Sequence, residues 1–120
     1  MEKNNLQERT KRFAVQIVHF VRKLPHEKTY WVIGDQLLRS GTSVGANTRA
    51  AYRGRSKKEF LAKMGLVVEE ADESLFWLEL LSEEGLCPSA LQAELRALKK
   101  EANELTAIFC SICKKGKSES

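Results

Sequence analysis

Apolar residues recur along this chain in alternating steps of three and four, the spacing that lays one stripe of a helix against a core. Four such segments follow one another. The first carries Leu6, Phe13, Ile17, Phe20 and Leu24; Asn5 with Glu8 three residues on reads as its opening cap, and Pro25 stops it. The second begins near Thr29 and runs through Ile33, Leu37, Gly41, Val44, Thr48 and Ala51 to Gly54, a residue suited to a C-terminal cap. In the third, Ser56 and Glu59 form a capping box ahead of Phe60, Met64, Val67, Ala71, Ser74, Leu78 and Leu81, with Gly85 beyond. The fourth follows Pro88, is opened by Ser89 and Gln92, and shows Leu91, Leu95, Leu98, Ala102, Leu105, Phe109 and Ile112 in heptad spacing before Gly116 and a polar tail end it.

Connections of a few residues, around Pro25 to Lys28, Gly54 to Arg55 and Gly85 to Pro88, force successive helices to fold back on each other. The expected fold is therefore all-α, an antiparallel up-down-up-down four-helix bundle. No run alternates with period two, and no Gly/Ser-rich linker divides the chain, so residues 1–120 read as one domain.

Two stretches depart from an ideal monomeric bundle. The second helix is rich in small residues from Arg39 to Asn47, and each glycine costs helix propensity by roughly 1 kcal/mol relative to alanine. Gly41 and Gly45, at i and i+4, share a face and are expected to admit a neighbouring helix or ring close to the backbone; the alternative is a loop that splits the helix. The second departure is Leu75 to Leu81, where apolar side chains surround the helix and only Glu79 interrupts them. One core cannot cover every side, so Phe76, Trp77 and Leu80 are expected at a subunit interface, unless loops or the first helix cover Trp77 within a monomer.

At 120 residues with 42% apolar content, the chain is long enough to bury about two-thirds of its unfolded surface without staples. No apolar run is long enough to span a bilayer, and the start lacks the apolar stretch of a secretory signal, so the protein is expected in the cytoplasm. Cys87, Cys110 and Cys113 are then expected to be reduced.

Few residues of the chain stand in a pattern that chemistry requires. His19 and His26 are not preceded by Glu at the spacing a bundle di-metal site needs. Cys110-x-x-Cys113 offers two ligands where a structural zinc site wants four, so both read as small packing residues. Gly45 is not followed by the Lys and Ser/Thr of a phosphate loop, and Ser40, Thr42 and Ser43 have no base nearby in sequence. Glu69, Glu70, Asp72 and Glu73 read as a solvated face paired with Arg39, Arg49 or Arg53. The reading is of no enzyme, no metal and no cofactor.

Charge changes that picture more. The net +4 divides into 13 Lys and Arg against 5 Asp and Glu in residues 1–60, a net +8, and 7 against 11 in residues 61–120, a net −4. The excess concentrates at Arg49, Arg53, Arg55, Lys57 and Lys58 around the turn between the second and third helices, with Tyr52 among them and Arg39 as a further contributor. Such a cluster neutralises phosphates of RNA or DNA, and an exposed aromatic stacks on a base. The competing reading is an ordinary solvated helix end on a protein adaptor or structural ring, whose partner docks on apolar helix surfaces.

The run from Asp35 to Asn47, Asp-Gln-Leu-Leu-Arg-Ser-Gly-Thr-Ser-Val-Gly-Ala-Asn, followed by Ser56-Lys-Lys-Glu-Phe60, Glu69-Glu-Ala71 and Trp77-Leu-Glu-Leu-Leu81, resembles the bacterial four helix bundle proteins first noticed as reading frames inside intervening sequences of 23S ribosomal RNA genes. The resemblance runs from about Phe13 to the fourth helix. It implies an antiparallel bundle that assembles into a barrel-like homopentamer. Through a distant relative, the accessory protein of diversity-generating retroelements, which binds nucleic acid and a reverse transcriptase, it also implies a ring with a basic surface. Many members carry Glu three residues after the Asn of the motif, where this chain has Ala50.

Overall fold

In the computed structural model, which describes residues 3–119, the four stripes become α1 (Lys3–Arg22), α2 (Lys28–Tyr52), α3 (Lys57–Leu81) and α4 (Gln92–Ser118), the last entered through a 3₁₀ turn at Ser89–Leu91. The described residues contain no strand. Met1, Glu2 and Ser120, the ends of the expected 1–120 domain, lie outside the described residues. Interhelical contacts give the direction of α1 against α4 and of α2 against α3. Going up α1, Arg9 meets Glu101 and Lys23 meets Glu94; going down α2, Arg39 meets Glu70 and Tyr52 stacks on Phe60. Both series run in opposite senses on the two helices, as antiparallel packing requires. A 25-residue helix is about 38 Å long, and the 46 × 22 × 20 Å envelope is that of such rods side by side.

The core is assembled from the predicted stripes. Leu6, Phe13, Ile17, Phe20 and Leu24 of the first segment are buried, as are Ile33, Leu37, Val44 and Ala51 of the second. Met64, Val67, Ala71, Leu78 and Leu81 face them from α3, and Leu95, Leu98, Ala102, Leu105 and Phe109 from α4, while Phe60 and Ile112 are half-buried at the margin. Buried hydroxyls keep partners, as buried polar groups must. Thr10 donates to Leu6 O at 2.8 Å and Thr48 to Val44 O at 2.7 Å, and the Ser74 hydroxyl lies 2.9 Å from that of Ser40, a polar tie between α2 and α3 inside the core.

The small-residue stretch of α2 is continuous helix, so the loop alternative falls. Its glycines exist for α1. A Cβ on Gly41 would lie 2.8 Å from a carbon of Ile17, and one on Gly45 would lie 3.2 Å from the Thr10 carbonyl oxygen. Close α1–α2 packing is the tertiary gain that offsets their low helix propensity.

The ends of the helices correct several expectations. Ser56 does cap α3, its hydroxyl accepting from Glu59 N–H at 3.1 Å. Asn5, by contrast, lies inside α1, which has already begun at Lys3. Ser89 does not cap α4, because the chain enters that helix through the 3₁₀ turn with Pro88 at its start and no side-chain cap. Gly54 follows α2 without a left-handed conformation; it is needed because a Cβ there would lie 3.0 Å from Ala51 O and 3.3 Å from Phe60 N. Gly85 alone among the described residues takes a positive φ, 72°, in the turn closed by Leu86 N–H to Glu83 O, three residues after the C-cap Ser82. Gly116 does not end α4, which continues to Ser118; its missing side chain lets the last turns press on Leu61, whose methyl would collide with a Cβ.

Candidate nucleic-acid interface

The antiparallel order gathers at one end of the bundle the start of α1, the α2–α3 turn and the last turns of α4. Arg49, Arg53, Arg55, Lys57 and Lys58 are all exposed there and enter no ion pair among the described residues. Arg49 on the last turn of α2 and Arg53, its C-cap, stand beside a depression that also takes in Lys11 and Glu8 of α1. Arg55 sits at the turn, Lys57 opens α3, and Lys58 follows it at the mouth of a groove whose other wall, on α4, carries Lys114 and Lys117. Lys11, Lys114 and Lys117 are therefore cations of this end that a linear reading of residues 49–58 does not include. The signal for the α4 pair was the expected topology itself, which returns the fourth helix to the α2–α3 turn.

Arg39 stands apart. It lies ten residues before Arg49, about 15 Å along the helix, and its guanidinium is engaged by Glu70 at 3.2 Å and by Glu73. The indole N–H of Trp77 donates to the same Glu73 at 3.1 Å. These two donors, Trp77 first and then Arg39, hold the Glu73 carboxyl below its ordinary pKa. The pairing expected for the acidic face thus forms with Arg39 and not with Arg49 or Arg53, because only Arg39 lies opposite the middle of α3.

Tyr52 does not stand out from the basic cluster as a free stacking platform. It is half-buried, its ring centroid is 5.4 Å from that of Phe60, and burial raises its phenol pKa. Arg9 is likewise committed, bridging to Glu101 at 2.6 Å and Glu104 at 3.0 Å across α1 and α4.

The apolar residues assigned to an interface are divided by the fold. Trp77 and Leu80 are half-buried and pack against the core, whereas Phe76 keeps 52% of its surface exposed while meeting Trp77 edge to face at 4.9 Å. Leu66 on α3 and Trp31 and Val32 near the start of α2 are also exposed. Of the thiols, Cys113 packs against the core but Cys110 is exposed, which corrects its reading as a packing residue. Among the described residues no group of three or more His, Cys, Asp or Glu is placed to hold a metal, and no helix is long and apolar enough to cross a membrane.

Fold and surface together define a bundle of four antiparallel helices with its cations collected at one end. The chain belongs to the 23S rRNA-intervening sequence protein family, whose model matches residues 2–111. It is also similar to the crystal structure of a protein of unknown function from the S23 ribosomal protein family of Bacteroides thetaiotaomicron VPI-5482, with 32% identity and a TM-score of 0.82 over 95% of this chain and 99% of that one. No curated protein matches it.

Proposed function

We propose that this chain is a noncatalytic, homo-oligomeric module of the cytoplasm that binds RNA or DNA through the basic end of its bundle and needs no cofactor for it. The observation that carries the reading is the set of five exposed cations, Arg49, Arg53, Arg55, Lys57 and Lys58, without an ion-pair partner among the described residues, joined across the α3–α4 groove by Lys114 and Lys117. Cations not neutralised within the protein are available to phosphates, and their release of counterions makes affinity fall steeply with salt. Arg39 is left out of this site because Glu70 and Glu73 already occupy it.

The test is fluorescence anisotropy with labelled single- and double-stranded oligonucleotides at several salt concentrations. Five phosphate contacts give a log–log slope of about −4.5 on duplex and about −3.5 on a single strand. Neutralising all five residues to Gln should abolish binding at moderate salt while leaving the helical spectrum intact. Absence of binding at low salt, or binding indifferent to the five substitutions, overturns the reading. A protein adaptor or structural ring is the second reading, favoured by the exposed Phe76 and Leu66 on α3; a partner retained at high salt would support it.

A further inference from the structure

The groove between α3 and α4 holds a second feature that does not depend on nucleic-acid binding. Cys110 and Cys113 are both free and both line it, Cys110 exposed and Cys113 half-buried, in a volume of about 990 Å³. Their wall is unbroken helix, α4 running from Gln92 to Ser118. Positions i and i+3 of a helix hold their Cβ atoms about 5–6 Å apart. A disulfide requires about 3.5–4.5 Å. Closing that gap strains an unbroken helix, so the open dithiol is the relaxed state of the pair. Two thiolate–metal bonds of about 2.3 Å each do span the gap, since each sulfur swings by one rotatable bond. Among the described residues no third ligand joins them, so one chain does not complete a four-coordinate zinc site. An ion content with two soft ligands needs none.

We propose that Cys110 and Cys113 form a two-coordinate site for a soft monovalent cation, Cu(I). Thiolates select Cu(I) by softness. On binding, each thiol releases one proton to solvent and forms one Cu–S bond, with no change of oxidation state, so Cu⁺ and two neutral thiols become a bis-thiolate complex of charge −1 and two protons. The groove suits that product: Lys58, Lys114 and Lys117 line it against a single carboxylate, Glu69, so the lining is net positive beside the negative charge, and Leu61 and Val68 add an apolar wall. Cys87 is the internal control. It lies in the α3–α4 connection, at the other end of the bundle, where its thiol donates to the Pro88 carbonyl at 3.4 Å.

The experiment is an anaerobic titration of the full-length chain with Cu(I) against a chromophoric Cu(I) chelator, with circular dichroism of each variant as a folding control. One ion per chain is expected, held by wild type and Cys87→Ser and lost in Cys110→Ser. Cys110 is exposed, so its replacement leaves the core untouched, which keeps the test decisive if Cys113→Ser alone fails to fold. Retention of one ion per chain by Cys110→Ser, loss of the ion in folded Cys87→Ser, or half an ion per wild-type chain, as in a site shared between two copies, would overturn the proposal.

Discussion

Gly41 and Gly65 both sit inside long helices, and their surroundings give them opposite roles. A side chain on Gly41 would collide with Ile17, whereas a Cβ on Gly65 meets nothing within 4 Å. Gly41→Leu is therefore expected to destabilise the fold by about 1–3 kcal/mol or more through overpacking of the α1–α2 contact. Gly65→Ala should stabilise it by roughly 0.5–1 kcal/mol, the ordinary helix gain with no steric loss. Urea melts of the two variants check both signs. The close approach at Gly41 was legible from its spacing with Gly45 on an apolar stripe. That the neighbour is Ile17 of the same chain was not, because glycine spacing says a surface must come near without saying whose.

Between elements, polar groups tie α2 to α3 both at the surface and in the core. The Arg39–Glu73–Trp77 network joins the middle of both helices at the surface, above the buried Ser40–Ser74 pair. Since the native Glu73 pKa is depressed, the stability it contributes is fully present above the ordinary carboxylate value of about 4.3 and is lost as pH falls through the lower native value. Wild type should accordingly be more stable than Glu73→Gln near neutrality, with the difference vanishing as the carboxyl is protonated in acid. Denaturant melts across the acid range, followed by Trp fluorescence, would show the two curves converging. A constant gap would mean that packing, and not the charge, is what the substitution removes. A capping box at Ser56 could be read directly because both members are local to one turn, whereas Asn5 and Ser89 misled: the same local pattern also occurs inside a helix or a 3₁₀ turn, and the path of the incoming chain selects among them.

For the molecule as a whole, the fold leaves apolar area on α3 that its own chain does not cover, chiefly at Phe76 and Leu66. Light scattering of wild type should report a species larger than one chain. Phe76→Asp should shift it toward the monomer with little change in helix content, because this side chain is half outside the core and its loss removes interface area more than packing. A wild-type monomer at high micromolar concentration would remove the oligomer from the proposed function and leave Phe76 as an isolated exposed aromatic.

The chain's own order of residues determined the four helices, their buried faces and their antiparallel sequence, since apolar periodicity and short connections act locally and allow few alternatives. It also determined that cations crowd the α2–α3 turn. Only the tertiary structure decided which of them are unpaired: it took Arg39 for Glu70 and Glu73, folded Tyr52 onto Phe60, and brought Lys114 and Lys117 beside Lys58 from more than fifty positions away. Ion pairing and exposure depend on distances across helices, and those exist only once the rods have packed.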